Sequence, residues 1–453
     1  MQNNKNFMEN IVNHLKNSGF VYQGSEIYGG LSNTWDYGPL GALLKDNIRD
    51  FWKKEFILKE SSNFLIDSKI LMNPQVWVTS GHVSNFSDPL IENKKNGKRY
   101  RADKLIQEIG ENIIPEKMSN KEMVDFLINN LPEYDGSKTE WSEIKQFNLM
   151  FETHQGVVEG SKSKVFLRPE TAQGIFVNFK NVLRTSRPKL PFGIGQVGKS
   201  FRNEVTPGNF IFRTREFEQM ELEFFTKPEE ANQWFDYYVN KSYEFVQKLG
   251  LKKENVKLRK HEKEELSHYS AGTTDIEFKF PFGWGELLGV ANRTDYDLSS
   301  HSKATGENLD YLDPETNNKI IPYVIEPSIG LDRLMLAVLS DAYDEEEISE
   351  DDKRVVLRLP LEIAPYKVAI LPLVKKLSDK SKEIFESLID KGVSVLYDES
   401  GSIGKRYRRQ DAIGTYWCLT VDYDTLENNT VTLRNRDTMA QVRINIDDLH
   451  KYI

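Results

Sequence analysis

The clearest alternation of polar and apolar positions in the chain lies between residues 217 and 224. Apolar side chains occupy positions 220, 222 and 224, and the other set consists of Phe217, Gln219, Glu221 and Glu223. This period of two predicts a β-strand with one apolar face and one functional face, so its carboxylates are expected to point away from the core. An antiparallel partner strand is predicted to end near Phe201, because Thr206-Pro207-Gly208-Asn209 supplies turn residues between the two.

A second run combines a strand, a glycine turn and an apolar helix. It extends from Glu326 to Arg333 and continues at helical spacing into Leu334, Met335 and Val338. An unpaired guanidinium is costly inside a protein. Arg333, near the start of this helix, is therefore expected to have an anionic partner.

Helical spacing also organises the N-terminal region. Residues 7 to 15 begin a predicted helix. A second predicted helix ends near Glu55-Phe56, and its apolar face is formed by Leu40, Leu44, Ile48, Phe51 and Trp52. A strand from Phe64 to Met72 follows and is closed by Pro74.

Two later segments depart from this pattern. Residues 90 to 145 contain a capping-box sequence at Ser119-Asn120-Lys121-Glu122 and are predicted to form an inserted helical subdomain. After Pro360 strands and helices alternate, which predicts a separate small α/β domain with a mixed sheet. Its expected elements are a strand at 366–373, a helix at 379–391, a strand at 393–398, a helix at 403–413 and strands from 416 onward.

Length, charge and cysteine content narrow the class of protein. With 453 residues the chain is long enough for two or three domains. Its net charge of -9 argues against nonspecific coating of nucleic acid, which needs many Lys and Arg side chains. The acidic segment from Asp341 to Asp352 is expected to be a solvated connector. The single cysteine, Cys418, is expected to be a packed strand residue, and it excludes an internal disulfide or a cysteine-based zinc cluster. A cytoplasmic location is expected.

The two main runs resemble motifs 2 and 3 of the class II aminoacyl-tRNA synthetases. More closely, nearly the whole chain resembles the homodimeric glycyl-tRNA synthetases. Each further run alone is weak evidence, whereas their order around the two main motifs is strong evidence. These runs are Thr34 to Gly41, Thr79 to His82 before Asp88-Pro89-Leu90, Phe147 to Phe151, Arg168 to Gly174, and Ala291 to Leu298.

The resemblance implies an α+β fold with two domains. Residues 1–360 would form an antiparallel-sheet catalytic domain that includes the insertion at about 90–145, and residues 361–453 would form an anticodon-binding domain. The helix, strand and proline up to Pro74 resemble motif 1, which implies a homodimer. The implied reaction activates glycine with ATP to glycyl-adenylate and pyrophosphate. Glycine then passes to the 3′-terminal adenosine of tRNA-Gly.

The resemblance also implies roles for the residues of the two motifs. Arg202 would hold the α-phosphate and the substrate carboxylate, Glu204 would accept from the adenine amino group, and Phe217 would stack on the adenine. Arg213 and Arg333 would bracket the γ-phosphate, and Arg202 and Arg333 are the implied catalytic residues. Glu286 is the candidate ligand for Mg²⁺, which prefers hard oxygen ligands. The implied ATP site comprises Arg202, Asn203, Glu204, Phe212, Arg213, Phe217, Glu286, Leu287, Gly330 and Arg333.

Four residues match the family's glycine pocket: Glu170, Glu221, Glu326 and Ser328. Ionised carboxylates are acceptors, and an ammonium offers three donors. Arg293 and Arg101 are expected to complete this pocket and balance its charge. Selection of the smallest amino acid must rely on steric exclusion, because a permissive apolar pocket discriminates one methylene by only about 1–3 kcal/mol.

A compact basic cluster near the C-terminus is the expected tRNA contact, and it consists of Lys405, Arg406, Arg408 and Arg409. The alternative is a solvated face without a ligand. Family members that bind zinc use cysteines in their inserted regions, so zinc is not expected here.

Three other functions compete with this interpretation. A noncatalytic relative is expected to have lost one of Arg202, Glu204, Arg213 and Arg333, and all four are present. A synthetase for another amino acid is the nearer alternative, and the residues Glu170, Glu221 and Ser328 distinguish it. A protein that acts only as an RNA-binding module would leave the nucleotide motifs without a purpose.

Overall fold

A computed structural model describes residues 2–110, 113–156, 163–267, 269–350 and 352–453. Up to the insertion the elements are α1 Gln2–Asn17, β1 Val21–Gln23, β2 Trp35–Tyr37, α2 Pro39–Trp52, β3 Asn63–Ile66, α3 Gln75–Thr79 and α4 His82–Asn85. The insertion contains β4 Ser87–Asn93, β5 Lys98–Arg101, α5 Ala102–Ile109, α6 Asn120–Asn130, β6 Glu133–Tyr134, β7 Ser137–Lys138 and β8 Lys145–Asn148.

The middle of the chain completes the first domain. Its elements are β9 Glu152–Gln155, β10 Ser163–Phe166, α7 Ala172–Phe176, α8 Phe179–Ser186, β11 Phe192–Phe201, β12 Glu216–Thr226, α9 Ala231–Lys248, β13 Val256–Lys260, β14 Gly272–Phe280, β15 Gly283–Thr294, α10 Tyr296–Thr305, β16 Tyr311–Leu312, β17 Lys319–Ile320, β18 Tyr323–Gly330, α11 Leu331–Ala342, β19 Tyr343–Ser349 and β20 Asp352–Leu357. The C-terminal elements are β21 Val368–Pro372, α12 Ser378–Asp390, β22 Val395–Tyr397, α13 Ile403–Ile413, β23 Trp417–Val421, α14 Tyr423–Asn428, β24 Thr430–Asn435 and β25 Gln441–Asn445.

A seven-stranded sheet forms the centre of the first domain, in the order β13-β14-β15-β18-β12-β11-β3. All its neighbours are antiparallel except β11 and β3, which are parallel. Helices α2, α9 and α11 contribute to the core that covers one face, where Met220, Leu222 and Phe224 of β12 are buried. The α+β prediction and the alternation along β12 are therefore confirmed.

Much of the opposite face of β12 is closed to solvent. Its distal part is covered by α7 and α10, with Ile175, Leu298 and Phe225 in a second apolar core. Glu221 is only 1% exposed and Glu223 is 0% exposed. The carboxylates do point away from the main core, but they are enclosed in a polar interior between two layers.

The N-terminal elements differ from their predicted bounds in two places. Helix α2 continues as a π-helix through Lys53–Leu58, beyond the predicted end. Strand β3 ends at Ile66, whereas the prediction extended it to Met72, and Leu71 forms only an isolated bridge with Leu167.

The insertion contains strands as well as helices. Helix α6 begins with the predicted capping box, in which Ser119 Oγ accepts from the Glu122 amide at 3.3 Å and the Ser119 amide donates to Glu122 at 2.7 Å. Strands β5, β4 and β8 form an additional antiparallel sheet that the sequence pattern did not indicate. A separate apolar core, which includes Ile91, Ile106 and Leu127, joins the sheet to the helices.

The C-terminal domain has the predicted α/β architecture. Its five strands lie in the order β22-β21-β23-β24-β25, parallel at the first two pairings and antiparallel at the last two. Cys418 is a buried residue of β23, as predicted, and burial raises the pKa of its thiol to about 12. None of the helices in the described part of the chain is long and apolar enough to cross a membrane.

The acidic segment is not the solvated connector that its composition indicated. Strands β19 and β20 pair as an antiparallel hairpin. Its carboxylates are held by arginines, because Arg358 donates to Asp344 at 2.9 Å and Arg354 forms an ion pair with Glu346. The charges therefore stabilise a local fold instead of remaining fully hydrated.

The same hairpin is joined to the C-terminal domain through buried charges. The Arg354 guanidinium, with a side chain that is 0% exposed, donates to Asp411 at 3.0 Å and to the Arg436 carbonyl at 3.0 Å. Asp411 also accepts from Arg434 at 2.8 and 3.0 Å. One buried carboxylate therefore pairs with two guanidinium groups from different parts of the chain.

We expect Asp411→Ala to lower the free energy of unfolding by about 3–5 kcal/mol, because it leaves two buried guanidinium groups without this partner. Urea denaturation followed by circular dichroism measures the change. Asp390→Ala, at the exposed C-terminal end of α12, is the control and should change stability by less than about 0.5 kcal/mol. Equal stability of the two variants would show that Asp411 does not stabilise this junction.

Candidate active site

A cleft opens on the polar face of the central sheet. Its walls come from the connection between β11 and β12, from β15, and from the junction of β18 with α11. The residues that line it are Arg202, Glu204, Phe212, Arg213, Thr214, Phe217, Gln219, Glu286, Leu287, Ser328, Gly330, Asp332 and Arg333. The two main sequence runs, more than a hundred residues apart, therefore meet in one cleft.

Strand pairing positions the first wall. Phe201 of β11 lies opposite Glu216 of β12, and the chain between them reverses through a bridge between Gly208 and Arg213. The connection is longer than a tight hairpin, so the predicted turn at 206–209 is only part of it. Asn203 lies beside the cleft, where its amide donates to the Leu149 carbonyl at 2.8 Å.

Arg202 is oriented by one hydrogen bond and two aromatic rings. Its Nε donates to the Pro169 carbonyl at 3.0 Å. The guanidinium carbon lies 5.2 Å from the Phe217 ring centre and 5.3 Å from that of Phe86. These contacts leave the terminal nitrogens available for an anion, which suits bidentate recognition of phosphate or carboxylate.

Arg333 has the anionic partner that the sequence predicted. It donates to the Glu286 carboxylate at 3.0 Å and to the Phe212 carbonyl at 3.2 Å, and its guanidinium lies 4.4 Å from the Phe212 ring centre. Burial opposes ionisation of Glu286, but Arg333 and Arg202 together lower the pKa of this carboxyl. The Glu286 side chain is half-exposed in the cleft and is ionised at neutral pH.

A second group of charges closes the far end of this cleft. Burial lowers the pKa of Arg213, with Arg333 and Arg101 acting in the same direction and Glu204 opposing them. Within the part of the chain that the structure describes, Glu204 Oε2 is buried without a hydrogen-bond partner. It is an acceptor that a donor on a ligand can satisfy.

Arg101, which was predicted for the amino-acid pocket, pairs with carboxylates of the insertion beside this end of the cleft. It donates to Asp103 at 2.6 and 3.2 Å and pairs with Asp88 at 3.1 Å. The charge of Glu204 also acts on it. Arg101 is the last residue of β5, and the sequence of the insertion did not indicate that this strand would place it near Glu204.

The four residues predicted for the amino-acid pocket lie deeper along the same face. Glu221 is directly opposite Ser328 in the β12–β18 pairing, and it accepts from Ser328 Oγ at 2.6 Å. It also accepts from the Thr171 amide at 2.9 Å and from Gln219 at 2.8 Å. Burial raises the pKa of Glu221 and the charge of Glu170 adds to this, although these hydrogen bonds oppose the shift.

Arg293 supplies the guanidinium of this pocket. It donates to Glu326 at 3.0 Å and in bidentate geometry to Asp297 at 2.8 and 3.0 Å. Its guanidinium carbon lies 3.9 Å from the Tyr269 ring centre. Burial raises the pKa of Glu326 to about 8, despite the opposing effect of Arg293.

Glu170 completes the pocket from the segment before α7. Its two oxygens lie 3.3 Å from His82 Nε2 and 3.1 Å from Gln173 Nε2. Burial alone would raise the pKa of Glu170, but His82 and Arg293 hold it below its usual range. Carboxylates thus outnumber the cations in this pocket, an arrangement that favours a small cationic ligand such as an ammonium.

Several residues that orient the site were not identified from the sequence. Thr171, Gln173, His82 and Asp297 hold the carboxylates and Arg293 in place. All four lie inside short runs that resemble the family, so the runs were the available signal. Asp332 was also missed, and it accepts from the Glu218 amide at 2.7 Å and from Lys45 at 3.3 Å, which joins α11 to β12 and α2.

The four residues of the basic cluster on α13 differ in their exposure to solvent. Arg406 is 4% exposed and donates to the carbonyls of Pro372 at 2.6 Å and Gly401 at 3.1 Å. Its guanidinium thus holds loops of its own domain, which does not support the predicted contact with tRNA. Lys405 and Arg409 are exposed, whereas Arg408 is partly buried and donates to Asp352 at 2.5 Å.

Two protein families match the chain. Residues 155–342 match the family described as tRNA synthetase class II core domain (G, H, P, S and T), and residues 367–453 match the Anticodon binding domain. Glycine–tRNA ligase of Mycoplasmopsis synoviae is 64% identical over 450 residues, which cover 99% of this chain and 100% of that protein.

Other relatives have the same name. Glycine–tRNA ligases of Acetivibrio thermocellus and Clostridium tetani are each 58% identical, over 99% and 98% of this chain and 98% and 97% of their own lengths. Among solved structures, Giardia lamblia prolyl-tRNA synthetase in complex with prolyl-adenylate has a TM-score of 0.66. It covers 98% of this chain and 76% of its own at 15% identity, a likeness of fold.

Proposed function

This chain belongs to the glycine–tRNA ligases of the class II aminoacyl-tRNA synthetases, and on that basis we propose how its residues divide the reaction. The enzyme activates glycine with ATP to glycyl-adenylate and pyrophosphate and transfers glycine to the 3′-terminal adenosine of tRNA-Gly. The observation that supports the division is the continuity of the Arg-rich cleft with the carboxylate pocket along β12.

Activation requires positive charge and orientation more than it requires a protein nucleophile. The glycine carboxylate attacks the α-phosphate of ATP in line and expels pyrophosphate. Arg202, between the cleft and the pocket, would hold the α-phosphate and the attacking carboxylate. Arg333 and Arg213 would hold the γ-phosphate, and their charges would stabilise the transition state.

The adenosine end of the cleft contains the aromatic and acceptor groups. The adenine would stack on Phe217, while its amino group donates to the unpartnered oxygen of Glu204. Phe212, Leu287 and Gly330 would complete the wall, with Asn203 behind Arg202. Arg101 would act on this end through the charge of Glu204, and its expected part in the amino-acid pocket stays a prediction.

Glycine would bind with its ammonium among Glu170, Glu221 and Glu326, with Ser328 and Arg293 fixing the carboxylates. Selection against larger side chains would rely on steric exclusion, because apolar affinity alone discriminates weakly.

A divalent cation fits the phosphate end of the cleft. The half-exposed, ionised carboxylate of Glu286 offers the hard oxygen ligand that Mg²⁺ prefers. When bound, this cation would neutralise phosphate charge. Arg333 would then exchange its contact with Glu286 for one with the phosphates.

Arg333→Ala should reduce ATP–pyrophosphate exchange by roughly 10²–10³-fold, because it removes a charge-assisted donor that acts on the transition state. The measurement is glycine-dependent exchange of labelled pyrophosphate. Arg184→Ala, on the exposed surface of α8, should retain wild-type exchange. Near-normal exchange in Arg333→Ala would contradict the assigned role.

Glu221→Gln should raise the KM for glycine by roughly 10–100-fold and leave that for ATP almost unchanged, because an acceptor for the ammonium becomes a partial donor. Steady-state exchange kinetics with each substrate varied separate the two constants. If only the ATP constant changed, Glu221 would belong to the nucleotide site. Glu229→Gln, just beyond β12, is an exposed control.

Each proposed domain would have its own role. Residues 1–360 would form the adenylate, and residues 361–453 would bind tRNA. Buried Ile363 and Ala364 still pack on the main core, so the structural junction lies a few residues after Leu359. On the surface of α13, the exposed Lys405 would contact tRNA phosphates, and the exposed Arg409 would do so by exchanging its contact with Asp398. Arg408 would contribute only after release from Asp352.

Replacement of Lys405 and Arg409 together by Ala should weaken charging of tRNA, leave exchange unchanged and lower the salt slope of tRNA binding by about one for each phosphate that is no longer neutralised. Filter binding at several salt concentrations measures the slope. Arg406→Ala should instead lower stability, because it removes donors to two loop carbonyls. An unchanged slope in the double variant would exclude both residues from the tRNA surface.

A homodimer is the proposed assembly. Strand β3 is at one edge of the central sheet, and around it Leu58, Leu65 and Leu71 are 78%, 47% and 53% exposed. Exposed apolar side chains beside an unpaired edge are typical of an interface. A cytoplasmic location is also proposed, since the one cysteine is a buried thiol.

Sedimentation velocity should show twice the 52.5 kDa chain mass at working concentration. The double variant Leu65→Asp and Leu71→Asp should shift the protein to monomer, because each contact would bury a charge. Leu426→Asp, at an exposed position of α14 in the C-terminal domain, should remain dimeric. A wild-type protein that sediments only as monomer would contradict the proposed assembly.

A further inference from the structure

Two glutamates oppose each other at the proposed amino-acid pocket, and these are Glu326, which belongs to the pocket, and Glu223. Strands β12 and β18 pair Glu221 with Ser328 and Phe224 with Ile325. Continuation of this antiparallel register places Glu223 directly across from Glu326, on the same face of the sheet. Side chains in such positions have Cβ atoms about 5 Å apart, and two like charges there repel each other.

Glu223 is the more deeply enclosed of the two. Its exposed fraction is 0%, and neither carboxyl oxygen has a hydrogen-bond partner among the described residues. An ionised carboxylate in that environment is far more costly than a neutral one. Its position therefore favours a bound proton.

The surrounding groups do not provide enough positive charge for every carboxylate to ionise. Glu221 on the same strand, Glu326 on β18, and Asp297 on α10 all act on Glu223, and the opposing charge comes from Arg293 of β15. Arg293 is already engaged by Asp297 and Glu326. Glu170, from the segment before α7, adds a further negative charge next to Glu326.

Burial and the charge of Glu326 raise the pKa of Glu223 well above its usual range. Burial likewise raises the pKa of Glu326 to about 8. Because the two carboxyl groups interact, the proton belongs to the pair and not to one residue. In the free enzyme at neutral pH the pair thus retains at least one proton.

We propose that Glu223 is a positioning residue that shares a proton with Glu326, and that binding of the glycine ammonium releases this proton to solvent. The inference rests on the proposed assignment of the amino-acid pocket. In the step, one carboxyl O–H bond breaks, its electron pair remains on oxygen and the proton passes to buffer. Glycine keeps its ammonium protons, and nothing is oxidised or reduced.

This coupling gives the pocket its full negative charge only when a cation is present. Without ligand, the shared proton limits repulsion among the buried carboxylates. With glycine bound, the ammonium replaces the proton as the compensating charge. Below the pKa of the pair, glycine binding must displace the proton, so its KM should rise by up to tenfold for each pH unit that the pH falls.

Calorimetric titration of the full-length enzyme with glycine, in the presence of a non-reactive ATP analogue, tests the proposal. Titrations near pH 7 in buffers with different ionisation enthalpies count the protons released. We expect close to one proton per glycine bound for the wild type. Glu223→Gln keeps the shape of the side chain but removes the shared proton, so release should fall close to zero.

The glycine KM in the exchange assay provides a second measurement between about pH 6 and pH 8. It should fall with rising pH in the wild type and in the exposed control Glu229→Gln, and it should be nearly constant in Glu223→Gln. The KM for ATP should have the same pH dependence in all three proteins.

Absence of proton release from the wild type would overturn the proposal without any variant. Equal release from wild type and Glu223→Gln would also overturn it, because the proton would then come from another group. Failure of the underlying pocket assignment would be seen separately, as an unchanged glycine KM in Glu221→Gln.

Discussion

The register between β12 and β18 is the constraint on which the rest of the site depends. It sets Glu221 against Ser328 and Gln219 against Gly330, so the carboxylate pocket and the phosphate cleft are built on the same pair of strands. A slip of one residue would turn the carboxylates into the apolar core under α11. The hydrophobic pattern that stabilises the fold thus also aligns the carboxylate pocket with the Arg-rich cleft.

This arrangement buries carboxylates that do not by themselves stabilise the fold. Glu221, Glu223 and Glu326 occupy a sheet face that two apolar cores enclose, and Arg293 balances only part of their charge. Burial of such groups opposes folding, which the large cores beneath α9 and α11 can offset. The carboxylates are then preorganised for a cation, because hydrogen bonds from Thr171 and Ser328 orient them before it arrives.

The acidic hairpin of β19 and β20 connects the two domains through buried ion pairs. Through Arg354 it is joined to Asp411, whose carboxylate also pairs with Arg434 within the C-terminal sheet. A buried ion pair is destabilised when one partner is lost, so loss of the Asp411 carboxylate affects both domains. The C-terminal domain is therefore held to the first domain by buried ion pairs as well as by the covalent connection.

Local sequence patterns determined many of the strands and helices of this protein. The alternation from residue 217 to 224 set the two faces of β12, the spacing after Glu326 indicated the strand and helix around Arg333, and the elements after Pro360 followed their expected order. These patterns are visible because side-chain direction repeats every two residues in a strand and every 3.6 in a helix.

Tertiary structure alone decided which side chains share an environment. Arg406 and Arg409 are neighbours in one basic run, yet only Arg406 is turned into the domain. Glu223 meets Glu326 across 103 residues of sequence, and Arg101 reaches Glu204 from an insertion whose strands had no clear pattern. Burial and long-range pairing depend on the packing of whole elements, so local periodicity cannot supply the partners that determine these charges.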